Sequence, residues 1–499
     1  MAAASHASQG AAVLTRCKFS MESDIMFSTH FLRLASLCVA GAALFGACAS
    51  GKPAEDRPGH DSMFIALGEG GTPVARVITR AAACPRIRID GADFSMNLRA
   101  RAETLPSRPT RSAVEDSKPS AFPVLTCEKV IPPGSKNAMV EGNMLPLPPA
   151  VVNRIVVIGD TGCRIKKSDN AAQPCNDVAQ YPFASVAAAA AAWKPDLVVH
   201  VGDYLYRENP CPNGNAGCAG SPWGYGWDAW RADFFRPAEP LLHAAPWVMV
   251  RGNHESCARA GQGWWRLMDP RPLLPGRDCV TAVNDDNGDY SDPYAVPLGG
   301  GAQLIVFDSS NTPASPIKPG DIRAVKYADM YRKIDLLSQQ ASYNISADHH
   351  PIFGFAAKDG GRLMPGNAGL QSVWGGQDPG FAPPRIDLML SGHVHVWEQV
   401  SFAGRQPSQF IAGFAGTQED IVPLPAVLPE GQSPAPGAIV EHFSSWVDGF
   451  GYMTMERQGK DRWDVKIWNV AGQQVNACRI EGRHSVCEKA QVPSQPAAK

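Results

Sequence analysis

From Arg154 onward the chain repeats one pattern: an unbroken apolar, β-branched run that ends in a small polar cluster. RIVVIGD (Arg154–Asp160), DLVVHVGD (Asp196–Asp203), PWVMVRGN (Pro246–Asn253), QLIVFDS (Gln303–Ser309), ISADHH (Ile345–His350) and IDLMLSGH (Ile386–His393) all carry it. Runs without a polar alternate predict strands buried on both faces, in sheets covered by helices or packed on another sheet. Helical stretches lie between them. Pro182 to Trp193 is alanine-rich, and Ile322 to Ala341 places Val325, Ala328, Met330, Tyr331, Ile334 and Leu337 at near-helical spacing. The pattern predicts an α/β layered domain whose function sits at the carboxyl ends of its strands.

Upstream the texture differs. Short alternating stretches such as ARVITR (Ala75–Arg80) and RIRID (Arg86–Asp90), broken by proline-rich turns, predict a small β-rich domain over residues 55–150, closed by the stiff linker MLPLPPA (Met144–Ala150). The layered domain then covers 151–487, followed by a flexible tail, 488–499. A second proline-rich stretch near Val422 to Pro436 has no assigned role.

The first 49 residues read as an address. Leu34 to Ala47 is an uncharged run with Arg33 before it and small residues after it, the layout of a secretory signal and short for a membrane span. Glu22 and Asp24 suit a signal poorly, which makes Met26 a candidate start. LFGAC resembles a bacterial lipobox with Cys48 as the lipidated residue, which would attach the protein to a membrane; ordinary cleavage after Ala47 or Ala49 is the other reading. Either way the expectation is export, to the periplasm or outer envelope.

Cysteines support export independently. Ten of the thirteen lie beyond the signal region and fall into neighbouring couples: Cys84 with Cys127, Cys163 with Cys175, Cys211 with Cys218, Cys257 with Cys279, and Cys478 with Cys487. An even set in an oxidising compartment reads as disulfides, although sequence alone does not fix their connectivity. No couple has the C-x-x-C spacing of a structural zinc site. A net charge of -2 supplies no basic field for nucleic acid.

The polar clusters at the strand ends supply Asp160, Asp203, Asn253 with His254, His349 with His350, and His393 with His395. One strand-end aspartate is usually a turn former and one histidine usually packs. Gathered at one edge, carboxylates and neutral imidazoles form a ligand set for Zn, Fe or Mn, large enough for two ions sharing a bridging carboxylate.

GDTG (Gly159–Gly162), GDYLY (Gly202–Tyr206), GNHE (Gly252–Glu255), ADHHP (Ala347–Pro351) and GHVH (Gly392–His395) stand in the order and rough spacing of the calcineurin-like metallophosphoesterases, which the stretch Arg154 to Gly416 resembles. The GDxxY form, with GHVHVWEQ, is most similar to the purple acid phosphatases. That resemblance implies a four-layer α/β/β/α sandwich. It implies that Asp160, Tyr206 and His395 hold one metal, that Asn253, His349 and His393 hold the second, and that Asp203 bridges them. The pair would be Fe(III) with Fe, Zn or Mn; without the Tyr206 phenolate it would be Zn or Mn. Ser346 stands where the family usually has valine, which touches strand packing more than chemistry.

Two cations about 4 Å apart lower the pKa of a bound water and neutralise phosphate oxygens, so hydroxide can attack phosphorus in line. The resemblance gives His254 the task of contacting the phosphate and assisting the leaving oxygen, against the alternative that it only orients its neighbours. The expected activity is hydrolysis of a small phosphomonoester. A phosphodiesterase or nucleotide hydrolase on the same scaffold is the alternative, and a silent envelope binding protein would show a missing ligand, which this chain does not.

Among lesser candidates, Asp348 is expected to fix a histidine tautomer or to form a surface turn, and Glu255 and Glu398 to satisfy histidines or backbone groups. His200 reads as a core residue. Arg251 reads as a substrate contact or a surface charge. The insert Tyr206–Trp230, with Trp223, Tyr225, Trp227 and Trp230 among glycines, either selects substrate or seals the domain's edge.

Overall fold

The strand Arg154–Ile158 explains why its apolar run is unbroken. Ile155 and Val157 point into a core between two sheets, while Val156 and Ile158 point the other way, into a core beneath helices. Leu197 and Val199 of the next strand face the inter-sheet core, and Val198 faces the helices. A sheet with apolar surroundings on both sides leaves no position for a polar alternate.

The computed structural model describes residues 60–358, 361–418, 424–425 and 428–489. The expected signal, Cys48, the last residues of the tail and part of the Val422–Pro436 stretch lie outside the described residues.

Two large sheets stack face to face. The first has eleven strands, and at its centre Arg154–Ile158, Leu197–His200 and Trp247–Met249 run parallel. The second has seven, with Ala302–Val306, Tyr343–Ala347, Leu388–Ser391 and Ser408–Ala412 parallel at its centre. Each of the six apolar runs thus contains a central strand. Phe183–Ala192 and the aromatic turns around Trp227–Phe235 and Trp264–Met268 cover the first sheet. Ile322–Ser338 and Ala368–Trp374 cover the second. The long helix begins where the Asp321 side chain accepts from Arg323 N at 2.9 Å. Helix, sheet, sheet, helix is the four-layer arrangement expected.

The segment ahead of the linker is β-rich, and much of it extends the first sheet. Ser62–Leu67 pairs in parallel with the Trp247 strand, and Pro73–Thr79, Leu125–Val130 and Asn97–Ala100 follow outward. Arg86–Ile89, Ala92–Ser95, Ala138–Val140 and Asn143–Met144 form a separate four-stranded sheet. All five cysteine couples are disulfides.

Candidate metal centre

Parallel strands deliver their carboxyl ends to one edge. Asp160, Asp203 and Asn253 follow central strands of the first sheet, and His349 and His393 follow central strands of the second. The turns at this edge are sharp. Asp160, Asp203 and His393 all have positive φ, at 54°, 58° and 71°, a conformation costly for residues other than glycine and one that clusters at functional sites. Gly252 is required by contact, because a Cβ there would overlap Asp203.

The seven candidate ligands fall into two groups. Around the Tyr206 hydroxyl stand Asp160 Oδ1 at 2.7 Å, Asp203 Oδ2 at 2.9 Å and His395 Nε2 at 2.9 Å. Around Asn253 Oδ1 stand His349 Nε2 and His393 Nδ1, both at 3.0 Å. Asp203 Oδ2 belongs to both groups, since it also lies 3.0 Å from His349 Nε2. All the residues that the sequence singles out as ligands therefore converge, in the two sets expected, with Asp203 between them.

Cations fit this constellation better than hydrogen bonds do. Tyr206 has one hydroxyl proton, yet two carboxylate oxygens and an imidazole nitrogen crowd it. His395 Nδ1 donates to the Gln418 carbonyl at 2.9 Å, and His349 Nδ1 donates to the Val201 carbonyl at 2.9 Å. Those bonds orient each ring so that Nε2 is aimed at the cluster, where a neutral ring offers its lone pair to a cation. Burial opposes charge on His349, but Asp203 outweighs it and the ring is raised to about 9. Burial, then Asp160 and Asp203, push the Tyr206 phenol well up. Asp160 and Asp203 contribute to both shifts, and theirs is the negative charge that a cation would meet.

His254 lies beside this cluster and lines the same cavity. Its ring packs against Tyr206 with centroids 3.8 Å apart and planes tilted by 34°, and its Nδ1 donates to the Leu205 carbonyl at 3.0 Å, with Glu208 Oε1 3.1 Å away. Burial, then the charge of Arg259, lowers it to about 4. Glu208 and Arg259 form a buried ion pair against it. Neither carries a signal in the sequence, because 51 residues separate them and only the fold brings them together.

Asp233 is a second omission. Fully buried, it accepts from Cys163 N at 3.0 Å, Tyr206 N at 2.8 Å and Arg207 N at 3.1 Å, and pairs with the Arg207 guanidinium. It ties the GDTG loop to the loop carrying Tyr206. Glu255 does similar work, accepting from the backbone of Asp203, Tyr204, Leu205 and Gly252. Glu398 accepts from Phe355 N at 2.9 Å, so both glutamates satisfy backbone as expected. His200 is a core residue, bonded to Thr161 Oγ1.

Other expectations are corrected. Arg251 is neither a surface charge nor a substrate contact; it is buried and donates to the carbonyls of Glu255 and Gly288. Asp348 is buried and accepts from Ser391 Oγ at 2.8 Å, leaving the histidine tautomers to backbone carbonyls. Within the insert, Tyr225, Trp227 and Trp230 are buried in the helical layer, and of Tyr206–Trp230 only Tyr206 lines the cavity. These three rings turn inward, and Trp223 is half-buried beneath Lys118, so the insert seals the edge. The cavity of about 720 Å³ over the centre is instead walled by Arg164 and Lys166 and by the hairpin that carries Lys358 and Arg362.

A sequence model of the calcineurin-like phosphoesterase family matches residues 153–397. No curated protein matches the chain in sequence. Among solved structures, the chain is similar to the purple acid phosphatase PPD1 from yellow lupin (Lupinus luteus) seeds, with a TM-score of 0.51 at 14% identity over 88% of this chain and 77% of that one. It also matches PhoD, with a TM-score of 0.45 at 11% identity over 89% of this chain and 94% of that one. At 14% identity the likeness to the lupin enzyme is one of fold alone.

Proposed function

Because residues 153–397 are a calcineurin-like phosphoesterase domain, we propose that this protein is an exported binuclear-metal phosphomonoesterase of purple acid phosphatase type. The observation that carries the reading is the convergence of seven donors on two points that share Asp203 Oδ2. Asp160, Tyr206 and His395 would hold one ion, Asn253, His349 and His393 the other, and Asp203 both. When bound, such a pair supplies positive charge for phosphate oxygens and lowers the pKa of a coordinated water.

The chain's own residues do the rest. Val201 and Gln418 carbonyls keep the Nε2 lone pairs of His349 and His395 directed inward. Asp233 and Glu255 hold the loops that aim Tyr206 and Asp203. His254, next to Asp203 and Tyr206 on the cavity wall, is placed to contact the phosphate or the leaving oxygen. The cavity favours monoesters on charge. Arg164, Lys166, Lys358 and Arg362 outnumber Asp169 and Asp203 around it, and a monoester brings a dianion where a diester brings a monoanion. Five disulfides support export, since such bonds persist in oxidising compartments.

The test is kcat/KM of the metal-loaded protein on an aryl phosphate and on the corresponding bis-aryl phosphate. At least about tenfold preference for the monoester, a difference of about 1.4 kcal/mol in the barrier, is expected. A preference for the diester would replace this reading with the phosphodiesterase one.

A further inference from the structure

Beside the main cavity lies a smaller one, about 320 Å³, which shares Asn253 and His393 with it and so meets the candidate metal centre along one wall. Two arginines line it, Arg111 and Arg323. Arg323 is already engaged: its guanidinium bonds Asp321 at 3.0 Å through Nε and 2.6 Å through Nη2. Arg111 is not. Its guanidinium makes no hydrogen bond or ion pair among the described residues. Glu208 and Asp289, the acids whose charges act on it, are engaged by Arg259 and Arg251.

The backbone around Arg111 is nonetheless held firmly. Arg111 N donates to the Ala258 carbonyl at 3.0 Å, immediately before Arg259. On one side Arg108 bonds the Cys279 carbonyl and Asp285. On the other, Ser112 Oγ is bonded by Tyr225 and by Asn209. A stretch anchored this way, presenting a guanidinium with no ion pair of its own to a cavity beside a phosphoester site, has the properties of an anion receptor. It also lies outside residues 153–397, in the segment ahead of the family domain.

We propose that Arg111 is a specificity-determining residue: it binds a second anionic group, phosphate or carboxylate, carried by the substrate whose scissile phosphate lies at the metal centre. This rests on the phosphoesterase reading. The substrate class is therefore a phosphoester that carries a second acidic group, not a simple alkyl or aryl phosphate.

The experiment compares wild type, Arg111→Ala and Arg111→Lys as metal-loaded full chains, with melting curves to confirm folding. Steady-state kinetics use an aryl phosphate, pyrophosphate and a phosphoglycerate; calorimetry measures binding of pyrophosphate and of inorganic phosphate. For Arg111→Ala, an increase in KM and Kd of about tenfold is expected for the ligands with two acidic groups. The loss on aryl phosphate and inorganic phosphate should be several times smaller, and Arg111→Lys should fall between. Loss confined to pyrophosphate, or to phosphoglycerate, would identify the second group as phosphate or carboxylate. Equal losses on all ligands, or none, would overturn the proposal. Should the wild type hydrolyse none of the substrates, the phosphoesterase reading fails while the calorimetric comparison still judges Arg111.

Discussion

The hydroxyl of Tyr206 stands 2.7 Å from Asp160 Oδ1, although 46 residues separate the two and each belongs to a different strand-end loop. A phenol pressed between this carboxylate and Asp203 keeps its proton unless a cation replaces it. With ferric iron bound, the phenolate should give a visible charge-transfer band. Tyr206→Phe should abolish the band and weaken metal retention while leaving the far-ultraviolet circular dichroism unchanged. A band of full intensity in that variant would remove Tyr206 from the ligand set.

The Cys163–Cys175 bridge closes a short loop directly after GDTG, with Cys163 N bonded to Asp233. Loops of about 15 residues are stabilised by roughly 3 kcal/mol when cross-linked. The double variant Cys163→Ala/Cys175→Ala should therefore lose stability and also metal affinity. Cys478→Ala/Cys487→Ala, whose bridge joins the last two strands at one edge of the first sheet, should lose stability without a comparable change in metal content. Metal analysis after mild chelation separates the two cases.

Asp269 supplies an acid-sensitive contribution away from the centre. Burial works against its charge, but Arg271 outweighs burial and holds the carboxyl at about 2, against 3.8 for the free group. A depressed folded-state pKa contributes stability above the unfolded value, here on the order of 2 kcal/mol, and that contribution fades as pH falls from about 4 toward 2. Denaturant titrations should show wild type well above Asp269→Asn at neutral pH, with the gap narrowing below pH 4. A constant gap would mean the pair is not charge-linked.

Much of this molecule is written in local pattern. Strands buried on both faces announce themselves as runs like RIVVI, and the ligands follow because parallel strands deliver their ends to one edge. The cysteine couples are legible for the same reason: each joins neighbours in the chain. What the sequence conceals is contact between distant segments. Asp233, Glu208 and Arg259 look like ordinary surface charges until the fold buries them against Tyr206 and His254. Arg251 misleads in the opposite sense, since its position before GNHE suggests a substrate and its guanidinium serves carbonyls. The aromatic insert misleads because composition cannot tell a ring that faces a cleft from one that packs beneath it.

The two-ion centre is the claim on which the rest depends, and the direct measurement is the metal-to-protein ratio of purified wild type beside Asp203→Asn. Two ions per chain in the wild type, with loss of at least one in the variant together with phosphatase activity, is the expected result. A wild type that holds one ion or none after loading, or a variant that keeps both, would contradict a bridged pair at Asp203.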